Sequence, residues 1–112
     1  MGYEPAFFGV DGMDGILGVE NFDTSLAEGV MLLTPFAADA DDEKTKAFVS
    51  TFKEKYGDVP NQFAADAYDA IYVIKAAIEQ AGATPDMSAS DLGTALTGAM
   101  TSISVDGLTG EG

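Results

Sequence analysis

Apolar positions in the first third of the chain fall in short continuous runs. Ala6-Phe7-Phe8-Gly9-Val10 follows Pro5 and closes at Asp11-Gly12, which predicts a short buried strand. Val30-Met31-Leu32-Leu33-Thr34-Pro35-Phe36 is also continuous rather than alternating, the pattern of a strand covered on both faces in a parallel sheet, and Pro35 ends its pairing. Between the two runs, Gly12, Gly15 and Gly18 loosen or tightly turn the backbone, and a short helix is expected near residues 19–26.

From Asp42 onward the apolar period becomes helical. Asp39, Asp41, Asp42 and Glu43 crowd a helix start, where carboxylates cap free N–H groups and meet the positive end of the dipole. The helix is predicted over 42–56: Phe48, Val49, Phe52 and Tyr56 form one stripe, four lysines stay in water, and Gly57 supplies a left-handed stop. After Pro60, Asn61 caps a longer helix that ends near Ala81 and Gly82. Its expected core stripe is Phe63, Ala67, Ile71, Ile74, Ile78 and Ala81, widened by Tyr68, Tyr72 and Val73, with Lys75 and Glu79 paired outside. Ser88-Ala89-Ser90-Asp91 opens a weaker helix to about Met100, because Gly93 and Gly98 lie within it. Thr101 to Val105 alternates β-branched residues and predicts a last strand, stopped by Asp106-Gly107. The fold class is therefore α/β, with about three short strands and three to four helices. Such strands want parallel neighbours that 112 residues hardly provide, so both ends are expected to be cuts in a longer chain.

Charge narrows the partners. Nineteen acidic side chains stand against 5 lysines, a net charge of −14, so a phosphate backbone or an anionic membrane surface is not the target. Apolar residues are nonetheless 46% of the chain, enough for a globular core rather than a disordered polymer. Histidine and cysteine are absent, which removes Ser-His and Cys-His nucleophile pairs, zinc thiolate sites and disulfides together. No enzyme activity, metal or cofactor is expected. The chain has no apolar run of membrane-spanning length, and Met1 to Pro5 lacks the features of a signal peptide.

Few constellations survive as candidate sites. Asp39 to Glu43 fails as a calcium loop, since the sixth position holds Lys44 instead of glycine and the twelfth holds Ser50 instead of glutamate. Asp11-Gly12-Met13-Asp14-Gly15 sets two carboxylates just past a strand's C-terminal end, the edge where ligands collect in open α/β sheets. A plain pair of Asp-Gly turns explains the same residues, and by residue physics alone it is the stronger reading. An acidic enzyme domain using Asp11 and Asp14 as a carboxylate pair is a third reading. Phe63, in the first turn of its helix, is placed to face a cleft, whereas Tyr68 and Tyr72 fill core; Asp66 and Asp69 are assigned no chemistry.

The segment Lys55-Tyr56-Gly57-Asp58-Val59-Pro60-Asn61-Gln62-Phe63-Ala64-Ala65-Asp66-Ala67-Tyr68-Asp69-Ala70 resembles a stretch of the branched-chain amino-acid-binding family of periplasmic solute receptors. Phe8-Gly9-Val10-Asp11-Gly12, Ala27-Glu28-Gly29-Val30 and Gly107-Leu108-Thr109-Gly110 agree with the same family in order. The likeness implies the C-terminal third of a two-lobe, type I periplasmic-binding-protein-like fold that delivers an amino acid to the membrane subunits of an ABC importer by lobe closure. It implies residues 1–29 in one lobe, 30–103 as a hinge-crossing strand and helices of the other, and 104–112 as the return segment. It also implies Asp11 on the ligand's α-ammonium group, Phe63 near its side chain, a branched-chain or aliphatic amino acid as ligand, and an extracytoplasmic location for the whole receptor. A signalling receptor with the same fold is the alternative. Dimerisation or element swapping is expected to cover Val30 to Phe36 in the isolated piece.

Overall fold

The computed structural model describes residues 2–112, in two compact units that divide inside the central helix, one ending at Ala64 and the other Ala65–Gly112. The first unit opens with strand β1 (Phe8–Gly9), which pairs in parallel with β2 (Met31–Leu32) in the register Phe8 to Met31 and Gly9 to Leu32. Gly9 lies close under its neighbours: a Cβ would stand 2.5 Å from both Leu32 Cδ2 and Met13 Sδ, so either side chain would have to move aside.

Both runs were expected as longer, covered strands, and in this chain they pair over two residues each. A two-stranded parallel ladder has no outer neighbours to extend it, and Phe8 and Leu33 remain 74% and 80% exposed. In place of the helix expected near 19–26, the connection makes single 3-10 turns at Asp11–Met13, Ile16–Gly18 and Thr24–Ala27. Asp23 Oδ1 accepts from the Ser25 N–H and hydroxyl to start the last of these, while Gly15 and Asn21 take positive φ, as chain reversals demand.

Helix α1 (Glu43–Tyr56) begins and ends where the residues dictate. Asp42 accepts from the Thr45 N–H at 2.9 Å, and Gly57, at φ 74°, returns its N–H to the Lys53 carbonyl. Phe48 and Val49 are buried, and Phe48 meets buried Phe36 edge to face with centroids 6.0 Å apart. Phe52 and Tyr56 continue the aromatic row down the helix, although Tyr56 is exposed.

Helix α2 (Gln62–Ala81) starts under the Asn61 cap, whose Oδ1 accepts from the Ala64 N–H at 3.1 Å, and it stops at Gly82, φ 61°. Lys75 and Glu79 pair along it as expected. Its long apolar stripe is another matter. Ile71 is 65% exposed, and Phe63, Tyr68, Tyr72, Ile74 and Ile78 are exposed as well, whereas the buried residues of this helix are Gln62, Ala65 and Ala77. The stripe expected as core therefore faces outward in this chain.

Helix α3 (Ala89–Ala99) takes its cap from Ser88, which accepts from the Asp91 N–H, and buries Ala99. The strand expected over 101–105 does not form. The chain instead doubles back from Val105 to Gly112, with the two residues exchanging N–H···O bonds of 2.7 and 3.1 Å and a single antiparallel bridge from Asp106 to Glu111. No helix among the described residues is long and apolar enough to cross a membrane.

Candidate functional site

The polar residues of the first unit converge where β1 and β2 end and α2 begins. Asp11 leaves β1 on an exposed 3-10 turn, with Oδ1 accepting from its neighbour Gly12 N–H at 2.9 Å. Asp14 turns the other way: Oδ1 takes the Gly15 N–H at 3.0 Å and Oδ2 takes the Gln62 N–H at 2.6 Å. The second bond satisfies one of the free donors at the start of α2, so Asp14 caps a helix 48 residues later in the chain. Gly15 makes this approach feasible, since a side chain there would sit 3.1 Å from Asn61 Nδ2 and would have to adopt φ 83°.

Gln62 ties the arrangement together. Its side chain is buried, 4% exposed, with Oε1 accepting from the Thr34 hydroxyl at 2.8 Å and Nε2 lying 3.4 Å from Asp11 Oδ2. Thr34 stands just past β2, where its oxygen also accepts from the Phe36 N–H. One amide thus links the ends of both strands to the first turn of α2. Phe63, the next residue of that turn, is half exposed.

Asp11 and Phe63, the two positions singled out from the sequence, are thus placed beside the same residue, Gln62: one bonded to its side chain, the other following it in the helix. Asp14, the second carboxylate of the turn, has its two oxygens engaged by backbone N–H groups, an arrangement suited to capping and unsuited to general acid–base work. Gln62 and Thr34 were missed in the sequence. A glutamine at a helix start and a threonine before proline carry no distinguishing local signal, and only the tertiary path brings them to Asp11.

Beside this network opens a cleft of about 680 Å³, with Ile16, Leu17, Val19, Leu32, Phe36 and Val59 among its apolar walls and Asp14, Thr34 and Asn61 among its polar ones. Its size and mainly apolar lining fall within the range of small-molecule sites. Neither Asp11 nor Phe63 lines it.

A short parallel sheet whose strand ends face a capped helix start is an α/β arrangement, and ligands of open α/β sheets collect at that edge. Residues 9–112 match the family model described as "Periplasmic binding protein", and the chain belongs to that family. Two of the solved structures that share its fold are binding proteins of transporters. One is the branched-chain amino acid transporter substrate-binding protein LivJ from Streptococcus pneumoniae, in complex with isoleucine; it is 24% identical at TM-score 0.72, with 99% of this chain and 30% of that chain covered. The other is an ABC transporter solute-binding protein from R. palustris in complex with benzoate, 23% identical at TM-score 0.66, with 88% of this chain and 25% of that one covered. The chain therefore spans about a quarter to a third of the length of these neighbours. A search of curated proteins returned no match.

Proposed function

We propose that this chain supplies one wall of an amino-acid site in an importer's solute receptor, with Asp11 taking the ligand's α-ammonium group and Phe63 packing near its side chain. The observation that carries the reading is the Asp11 carboxylate itself, exposed at a strand's C-terminal edge and held by two neutral donors, the Gly12 N–H and the Gln62 amide. A charge-assisted bond from an ammonium ion is among the stronger hydrogen bonds available to such a group. The two structural neighbours hold ligands of different charge, isoleucine and benzoate. An unneutralised Asp11 favours the first kind, since it would repel a ligand bearing only a carboxylate.

The reading extends to the receptor as a whole: residues 1–29 in one lobe, 30–103 crossing into the other, 104–112 as the return segment, and lobe closure over the ligand presented to importer membrane subunits outside the cytoplasm. Groups for the ligand's carboxylate would then come from outside this chain, and the 112 residues alone would bind weakly.

Backbone NMR of the chain tests it. Isoleucine at millimolar concentration is expected to shift the Gly12 and Gln62 amides, benzoate to leave them unchanged, and Asp11→Asn to abolish the response. Equal shifts with benzoate, or a response that survives Asp11→Asn, would remove Asp11 from the site. Submillimolar isoleucine binding by calorimetry would show that the chain holds a complete site rather than a wall of one.

A further inference from the structure

A buried amide is unfavourable unless its hydrogen bonds are replaced, so the side chain of Gln62 calls for a reason. Starting α2 is not that reason. The backbone N–H of Gln62, not its side chain, meets Asp14, and Asn61 provides the cap, so a leucine at position 62 would serve the helix as well.

The amide's two ends are chemically distinct, and Asp11, which can only accept, and Thr34 together tell them apart. A threonine hydroxyl has one proton; of the two acceptors near Thr34 Oγ1, Gln62 Oε1 at 2.8 Å is closer than the Phe36 carbonyl at 3.1 Å. With Oε1 receiving that proton, Nε2 is the end that faces Asp11 Oδ2. Reversing the amide would set a carbonyl oxygen against a carboxylate oxygen and present N–H groups to the Thr34 hydroxyl. Asp11 then accepts one neutral donor on each oxygen, from Gly12 and from Gln62, which leaves further lone-pair sites on both oxygens. A lysine or arginine at position 62 would orient the carboxylate equally well but cancel its charge.

We propose that Gln62, its amide oriented by the Thr34 hydroxyl, is a positioning residue for Asp11: it holds the carboxylate in one rotamer toward a primary ammonium ligand without neutralising it. The ligand half of this statement rests on the reading of Asp11 given above; the Thr34–Gln62–Asp11 relay does not.

Three-bond couplings that report Asp11 χ1 test the relay in the chain without any ligand. The unaltered chain and Thr34→Ser, which keeps the hydroxyl, are expected to show a single Asp11 rotamer. Gln62→Leu and Thr34→Val are expected to show averaged couplings, while the Ala64 backbone amide, bonded to Asn61 Oδ1, keeps its protection from hydrogen exchange and so reports an intact start of α2. Averaging already present in the unaltered chain, or single-rotamer couplings retained in either Gln62→Leu or Thr34→Val, would overturn the relay. Should Gln62→Leu fail to fold, the Thr34→Val and Thr34→Ser pair decides alone. If the couplings behave as expected but isoleucine produces no shift at Gly12, the ammonium assignment falls and the relay stands.

Discussion

Asp11 and Asp14 are the same residue type three positions apart, each followed by glycine, and the fold gives them different work. Asp14 has both oxygens on backbone N–H groups and starts a helix; Asp11 keeps an exposed face. Nothing local separates them, because the partner that distinguishes them, the Gln62 N–H, arrives from 48 residues away. Asp42, by contrast, was legible as a cap, because a cap's donor lies three residues on. The Thr45 hydroxyl and N–H beside it hold its carboxyl below the usual aspartate value of 3.8. A depressed folded value means that the cap's contribution is present above pH 3.8 and lost as pH falls through the lower, folded value. Acid titration followed at the Thr45 amide is therefore expected to show α1 fraying from its first turn below pH 3.8, and Asp42→Asn to remove that transition.

The helices were readable as elements because their starts and stops are chemical. Asp42, Asn61 and Ser88 cap, and Gly57 and Gly82 stop, within a residue of where the sequence puts them. The strands were readable only as apolar runs, since their extent depends on neighbours and this chain gives each strand one. The last expected strand failed for a further reason: its continuation is held elsewhere. Asp69 on α2, a residue with no chemistry assigned to it in the sequence analysis, accepts from the Leu108 N–H at 2.8 Å, the Thr109 N–H at 2.9 Å and the Thr109 hydroxyl at 2.8 Å. Gly107 has to lie against this carboxylate, because a Cβ would come within 2.5 Å of it. A hydrogen bond to a charged acceptor contributes about 1.5–3 kcal/mol net of the water bonds it replaces, and bonds that share one carboxylate do not add. Asp69→Ala is accordingly expected to destabilise this unit by about 2 kcal/mol and to speed hydrogen exchange at Leu108 and Thr109. Gly107→Ala should speed exchange at the same two amides by displacing the turn. Protection unchanged in both variants would show that the turn holds itself.

The surface of the whole chain carries the same message as its strands. Among the described residues no large side chain is fully buried, and the apolar stripe of α2, Phe7, Phe8 and Leu33 all meet solvent. Exposed apolar side chains in this number seek cover, so the isolated chain is expected to dimerise or exchange elements. Light scattering across a concentration series checks this: a rising mass is expected, and a monomeric mass at high concentration would count against it.

Two kinds of information meet in this protein. The sequence by itself determined the α/β class, the three helices with their ends and the glycine-rich turn after the first strand, because propensity and capping act over a few residues. Tertiary structure decided which carboxylate caps and which stays exposed, that Gln62 and Thr34 join Asp11, and that the α2 stripe lies open. Those outcomes depend on contacts between segments tens of residues apart, which no local rule of propensity or capping reaches.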